Sequence, residues 1–170
     1  MATSSSPSVV HRSRLLVARL VLEAAREGLR VTYVARESLA TLSFGCLLPH
    51  VRRVVVAEDL GFVKTAQVLS RELGHWLLGH AAEVPGDVAE AEAELVSHLV
   101  CRDFGVVTNG WTAITGPELG VGAPGTLPMR LSGCRVERVA AELIQRLTTC
   151  ETDRLRRRPE AKRARLPKGA

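Results

Sequence analysis

VLSRELGHWLLGH, residues 68–80, decides how the chain is read. Leu69, Leu73, Trp76 and Leu77 recur three and four positions apart, the period of one buried helical face. Gly79 supplies the place where such a helix is expected to stop. Arg71, Glu72 and His75 fall within the same helix, and side chains four positions apart lie only about 40° apart around its axis. Polar groups are thus gathered along an otherwise apolar helix, which raises the question of what they hold.

Outward from this helix the chain alternates short strands and helices. Val51-Arg52-Arg53-Val54-Val55-Val56-Ala57 is the strongest strand, and Val31-Thr32-Tyr33-Val34 is a shorter one. Apolar residues at helical spacing predict a helix from Ser13 to Leu29, with Ser13 as its N-cap and Gly28 as its stop. Residues 36–49 are ambiguous, because Ser43-Phe44-Gly45 and Pro49 interrupt what Glu37 to Leu42 would begin. After Pro85-Gly86, Asp87 is placed to cap a helix over Val88 to Arg102. A Gly/Thr-rich irregular stretch follows, and then a helix from about Val136 to Thr149. The order predicts an α+β domain rather than a βαβ sandwich. Residues 1–12, polar and Ser-rich, read as a disordered N-terminus, residues 13–150 as the domain, and residues 151–170 as a basic tail.

Two histidines four apart on a helix can bind one zinc, and a Glu after the first can reach a metal-bound water. The pattern is H-E-x-x-H, and this chain has Arg71-Glu72-Leu73-Gly74-His75. A third ligand usually comes from elsewhere, and the next helix offers Glu90, Glu92 and Glu94. Helices joined by a short loop lie antiparallel and bring such groups face to face.

VKTAQVLSRELGHWLLGH together with AEAEAELVSHLV resembles the ImmA/IrrE-type metallopeptidases, particularly actinobacterial members related to antirestriction proteins. The likeness covers roughly residues 51–115 and includes Gly105-Val106-Val107-Thr108. It implies a zincin-like fold, in which a small sheet packs against an active-site helix and a following antiparallel helix. It also implies zinc as cofactor, a peptide or protein substrate, and a setting in mobile elements or regulation. By this resemblance Glu72 is the general base and His75 and Glu92 are metal ligands. Arg71 stands at the position of the first histidine. A guanidinium is always protonated and has no acceptor lone pair, so it cannot take that ligand's place. The family's activity is zinc-dependent peptide-bond hydrolysis, and the expectation here is that it is weak or lost.

His80, five residues past His75, projects roughly 140° away on an ideal helix, so its entry into the site requires the helix to unwind at Gly79. Glu72 and Glu92 keep a second reading, as acidic partners of Arg71 in a metal-free ion-pair cluster; Arg binds carboxylates in a bidentate way. His75 likewise reads either as a ligand or as a structural histidine bonded to Glu92. Glu90 and Glu94 read as a solvated face.

The chain is 46% hydrophobic and 24% charged, a globular composition, and no apolar run approaches the roughly 20 residues of a membrane span. With no secretory pattern at the N-terminus, a cytoplasmic protein with four reduced cysteines is expected. The net charge of +5 belongs to residues 151–170, which hold eight Arg and Lys against three Asp and Glu; the other residues hold fifteen of each sign. Arg156, Arg157, Arg158, Arg163 and Arg165 are candidates for contacting nucleic-acid phosphates, with an acidic membrane surface or a merely solubilising terminus as alternatives. A non-catalytic module that binds nucleic acid or protein through the scaffold and this tail is therefore the second functional reading.

Overall fold

The computed structural model describes residues 8–39, 44–80, 86–106 and 133–149. The first helix, α1, runs Val9–Arg26, and Ser8 caps it by accepting from the His11 amide at 3.3 Å. This corrects the expected start at Ser13 and removes residues 8–12 from the disordered segment. Ser13 lies on the buried face of α1, and its hydroxyl donates back to Val10 O at 3.0 Å.

Strand β1, Arg30–Val34, pairs in parallel with β3, Arg53–Ala57, and β2, Gly45–Leu48, adds antiparallel to the other side of β3. The order β1-β3-β2 makes β3 central, and its Val54, Val55, Val56 and Ala57 are all buried. β3 starts two residues later than its apolar run suggests. Pro49–Val51 forms a 3-10 turn, and Arg52 adopts the left-handed conformation (φ 49°), its guanidinium hydrogen-bonded to Glu27 O and Gly28 O. β2 occupies part of the segment left ambiguous by sequence.

Helix α2, Phe62–Leu77, buries Ala66, Val68, Leu69 and Leu73 and packs against α1, β2, β3 and the next helix. That helix, α3, runs Gly86–Asp103; it already contains Asp87, so Asp87 is not the residue that precedes it as a cap. A last helix, α4 (residues 133–149), starts three residues ahead of its expected position and buries Val136, Val139, Ala140, Leu143 and Leu147. Side chains from α1, β3, α2, α3 and α4 form one apolar cluster, so the described residues share one core. At its edge, Arg146 donates to Glu27 at 2.7 Å and Trp76 Nε1 to the same carboxylate at 3.2 Å, tying α4, α1 and α2.

The architecture is mixed α+β, as expected. No helix among the described residues is long and apolar enough to cross a membrane. Cys46, Cys101 and Cys134 are free thiols. The tail arginines Arg156, Arg157, Arg158, Arg163 and Arg165 lie outside the described residues.

Candidate functional site

Gly74 sets how closely the two motif-bearing helices approach. A Cβ there would meet Val96 Cβ at 3.2 Å and Ala93 O at 3.3 Å, so the absent side chain is what lets α3 lie against α2. Ser97 adds a cross-link by donating to Gln67 O at 2.9 Å. This contact sets the second turn of α2 against the stretch of α3 that follows its acidic run.

The end of α2 is equally specific. Gly79 takes φ +63°, its amide bonds to Trp76 O at 3.1 Å, and the His80 amide bonds to His75 O at 3.0 Å. These are the paired bonds of a Schellman motif, in which the left-handed residue reverses the chain over the last helical turn. His80 therefore folds back onto the face that carries His75. Projection along an ideal helix placed it elsewhere, because the helix ends before His80 is reached.

Two of the sequence candidates, His75 and Glu92, meet here with two residues that the sequence places elsewhere, His80 and Glu90. His75 Nδ1 lies 2.9 Å from His80 Nδ1, and His80 Nε2 lies 2.7 Å from Glu92 Oε2. On the other side, His75 Nε2 lies 3.3 Å from Glu90 Oε1. The result is a continuous series, Glu90, His75, His80, Glu92. All its contacts are satisfied at once when the two rings carry three protons between them, one toward each carboxylate and one in the gap between the Nδ1 atoms. Burial is the main cause of a lowered His75 pKa; Glu90 opposes that shift, while Arg71 and His80 reinforce it.

Arg71 lies beside this series. Its Nε and Nη2 donate to Glu90 Oε2 at 3.0 and 2.6 Å, and its Nη1 lies 3.3 Å from Glu72 Oε1. That last distance is within ion-pair range, yet Glu72 Oε1 is buried and has no hydrogen-bond partner, so the two groups attract without an aligned bond. Glu72 is only 2% exposed. Burial pushes its carboxyl up to about 7, with Glu90 adding to the rise and Arg71 and the Leu47 backbone amide opposing it. Partial compensation by Arg71 explains why the carboxyl is raised rather than held low. From β2, Cys46 adds a thiol whose pKa is raised by burial and by Glu72, which leaves it a poor nucleophile.

The motif positions do not fit zinc as arranged. Arg71 has no lone pair to give. His75 Nδ1 and Glu92 Oε2 face opposite nitrogens of the His80 ring, whose bonding directions diverge. One zinc, with bonds of about 2.0–2.2 Å, holds its ligand atoms within roughly 4 Å of each other. Among the described residues, no group of three or more His, Cys, Asp or Glu side chains is placed to hold a metal ion.

Glu72, His75 and Arg71 lie on α2 and Glu92 on the facing α3, and two residues that the sequence does not single out, Glu90 and His80, join them. Its spacing reads Glu90 as part of a solvated face; half exposed, it still reaches both Arg71 and His75. Ideal helical geometry carries His80 away from the site, although a Gly-His pair directly after the apolar run that ends at Leu78 is a readable Schellman signal. Glu94 is exposed, as expected. No protein-family model, curated protein or solved structure matches the chain.

Proposed function

We propose that the chain is a metallopeptidase-like protein of the ImmA/IrrE type, with a zincin-like arrangement of α2, α3 and the sheet, in which peptide-bond hydrolysis is weak or lost. The observation that carries this reading is Arg71, whose guanidinium sits on Glu72 and Glu90 where a first metal-ligating histidine would stand. Glu72 retains properties of an inherited general base. It is buried beside the edge strand β2, and burial brings its carboxyl to about 7, close to the value that suits proton transfer at neutral pH. What it lacks is an electrophilic partner to polarise a carbonyl, because Arg71 cannot ligate a metal and His75 and Glu92 are spread apart by His80.

The test is zinc binding by titration calorimetry on the native chain and on Arg71→His, together with hydrolysis of a denatured protein substrate. The reading expects no stoichiometric zinc and no hydrolysis in the native chain, and zinc binding in the variant, where the metal draws His75 and Glu92 off His80. Zinc bound one to one by the native chain, with hydrolysis that a chelator abolishes, would overturn it. A variant that binds no more zinc than the native chain would show that the ligand positions are misassigned.

A further inference from the structure

A zinc ion in a site of this kind does two things: it activates water, and it pins the helix carrying the histidines to the helix carrying the third ligand. We infer that in this chain the second task has passed to His80, whose imidazole bridges His75 on α2 to Glu92 on α3 as a hydrogen-bonded strut in place of a metal. The inference rests on the reading that the motif's ligand set is broken at Arg71.

The geometry distinguishes a strut from a relocated metal site. Two imidazole nitrogens sharing a tetrahedral ion, with bonds of about 2.0–2.1 Å, stand roughly 3.3 Å apart. His75 Nδ1 and His80 Nδ1 are 2.9 Å apart, the length of a direct N–H···N bond. The rings meet edge to face, with an angle of 72° between their planes. Glu92 and Glu90 each sit at the far nitrogen of a ring, so neither carboxylate turns into the gap as a further ligand.

Burial makes the strut consequential. The side chains of His80 and Glu92 are 3% and 8% exposed, so the contact between them is made out of solvent, where the loss of a hydrogen bond costs most. Gly79 belongs to the same device, because its left-handed turn delivers His80 to this place. The contact is made next to Gly74, where α3 lies against α2 with no room for a Cβ between them, so a single ring is long enough to span the helices.

The strut predicts a strong coupling that needs no metal. In thermal unfolding with EDTA present, His80→Ala and Glu92→Ala should each lower Tm by roughly 5–10 °C, and the double variant should fall little further than either single one. Losses that add would overturn the inference. Zinc chloride in place of EDTA should leave the native Tm unchanged. A zinc-induced rise in the native protein that disappears in His80→Ala would overturn it in favour of a metal between the rings. The native protein supplies a readout that does not depend on whether the variants fold. Long-range proton–nitrogen NMR should show a slowly exchanging imidazole proton on the shared Nδ1 pair; its absence would overturn the strut. The two proposals fail separately. An Arg71→His variant that gains no zinc removes the ligand assignment and leaves the coupling standing, whereas additive losses remove the coupling and leave Arg71 untouched.

Discussion

Two carboxylate contacts flank His75, and they differ most in their exposure to solvent. Arg71–Glu90 has the shorter contact, 2.6 Å, but its side chains are 24% and 52% exposed. His80–Glu92 is 2.7 Å long, with both side chains almost wholly buried. Distance alone would rank them as equals. Solvent separates them: an exposed pair is screened and must be ordered against side-chain entropy, while removing one member of a buried pair strands the other. The visible departure from the metal motif therefore lies in the pair that matters less to the fold, and the quiet replacement lies in the pair that matters more.

The buried pair should show the larger effect. His80→Ala or Glu92→Ala is expected to destabilise the protein by about 2–4 kcal/mol, read by urea unfolding at pH 7. A loss no larger than that of an exposed-site control such as His50→Ala would erase the contrast. Glu72→Gln comes next and carries the opposite sign. The folded carboxyl titrates near 7 and its ordinary value is 4.5, so the folded state holds the proton more tightly between those limits. Stability contributed by the protonated form is therefore present below pH 4.5 and is lost as pH rises through 7. At pH 8 the variant should be more stable than the native chain by at most about 3 kcal/mol, and at pH 4 the two should be alike. A variant that is less stable at pH 8 would mean that the Arg71 contact outweighs burial.

Gly79→Ala is expected to cost about 1–2 kcal/mol, since a side chain is strained at φ +63°. Because that turn positions His80, the imidazole proton shared with His75 should also exchange faster in this variant. Glu90→Ala should cost the least, within about 1 kcal/mol, and less still in high salt. A larger loss from Glu90 than from Glu92 would reverse the ranking outright.

Long periodic elements were legible because local spacing and tertiary burial agree there. The stripe of Leu69 and Leu73 and the run Val54–Val56 both enter the core. β2 was not legible, since four residues between Phe44 and Pro49 form a strand only by pairing with β3, a contact no local pattern encodes. The start of α1 turned on a choice between two serines, and Ser8 rather than Ser13 precedes the first turn. At the site, i to i+4 spacing located Arg71, Glu72 and His75 on α2, and the acidic run supplied Glu92. The fault lay in carrying ideal helical geometry past a glycine, which moved His80 out of a site it enters. Glu90 was missed for a related reason: a half-exposed side chain on the rim still reaches inward when a guanidinium draws it.

Elemental analysis of the untreated purified protein, before any chelator is added, decides between a metal and an imidazole as the link between the two helices. If His80 rather than a metal links His75 to Glu92, zinc and other transition metals will be present only in trace amounts. One zinc per chain, lost on His75→Ala, would contradict the account.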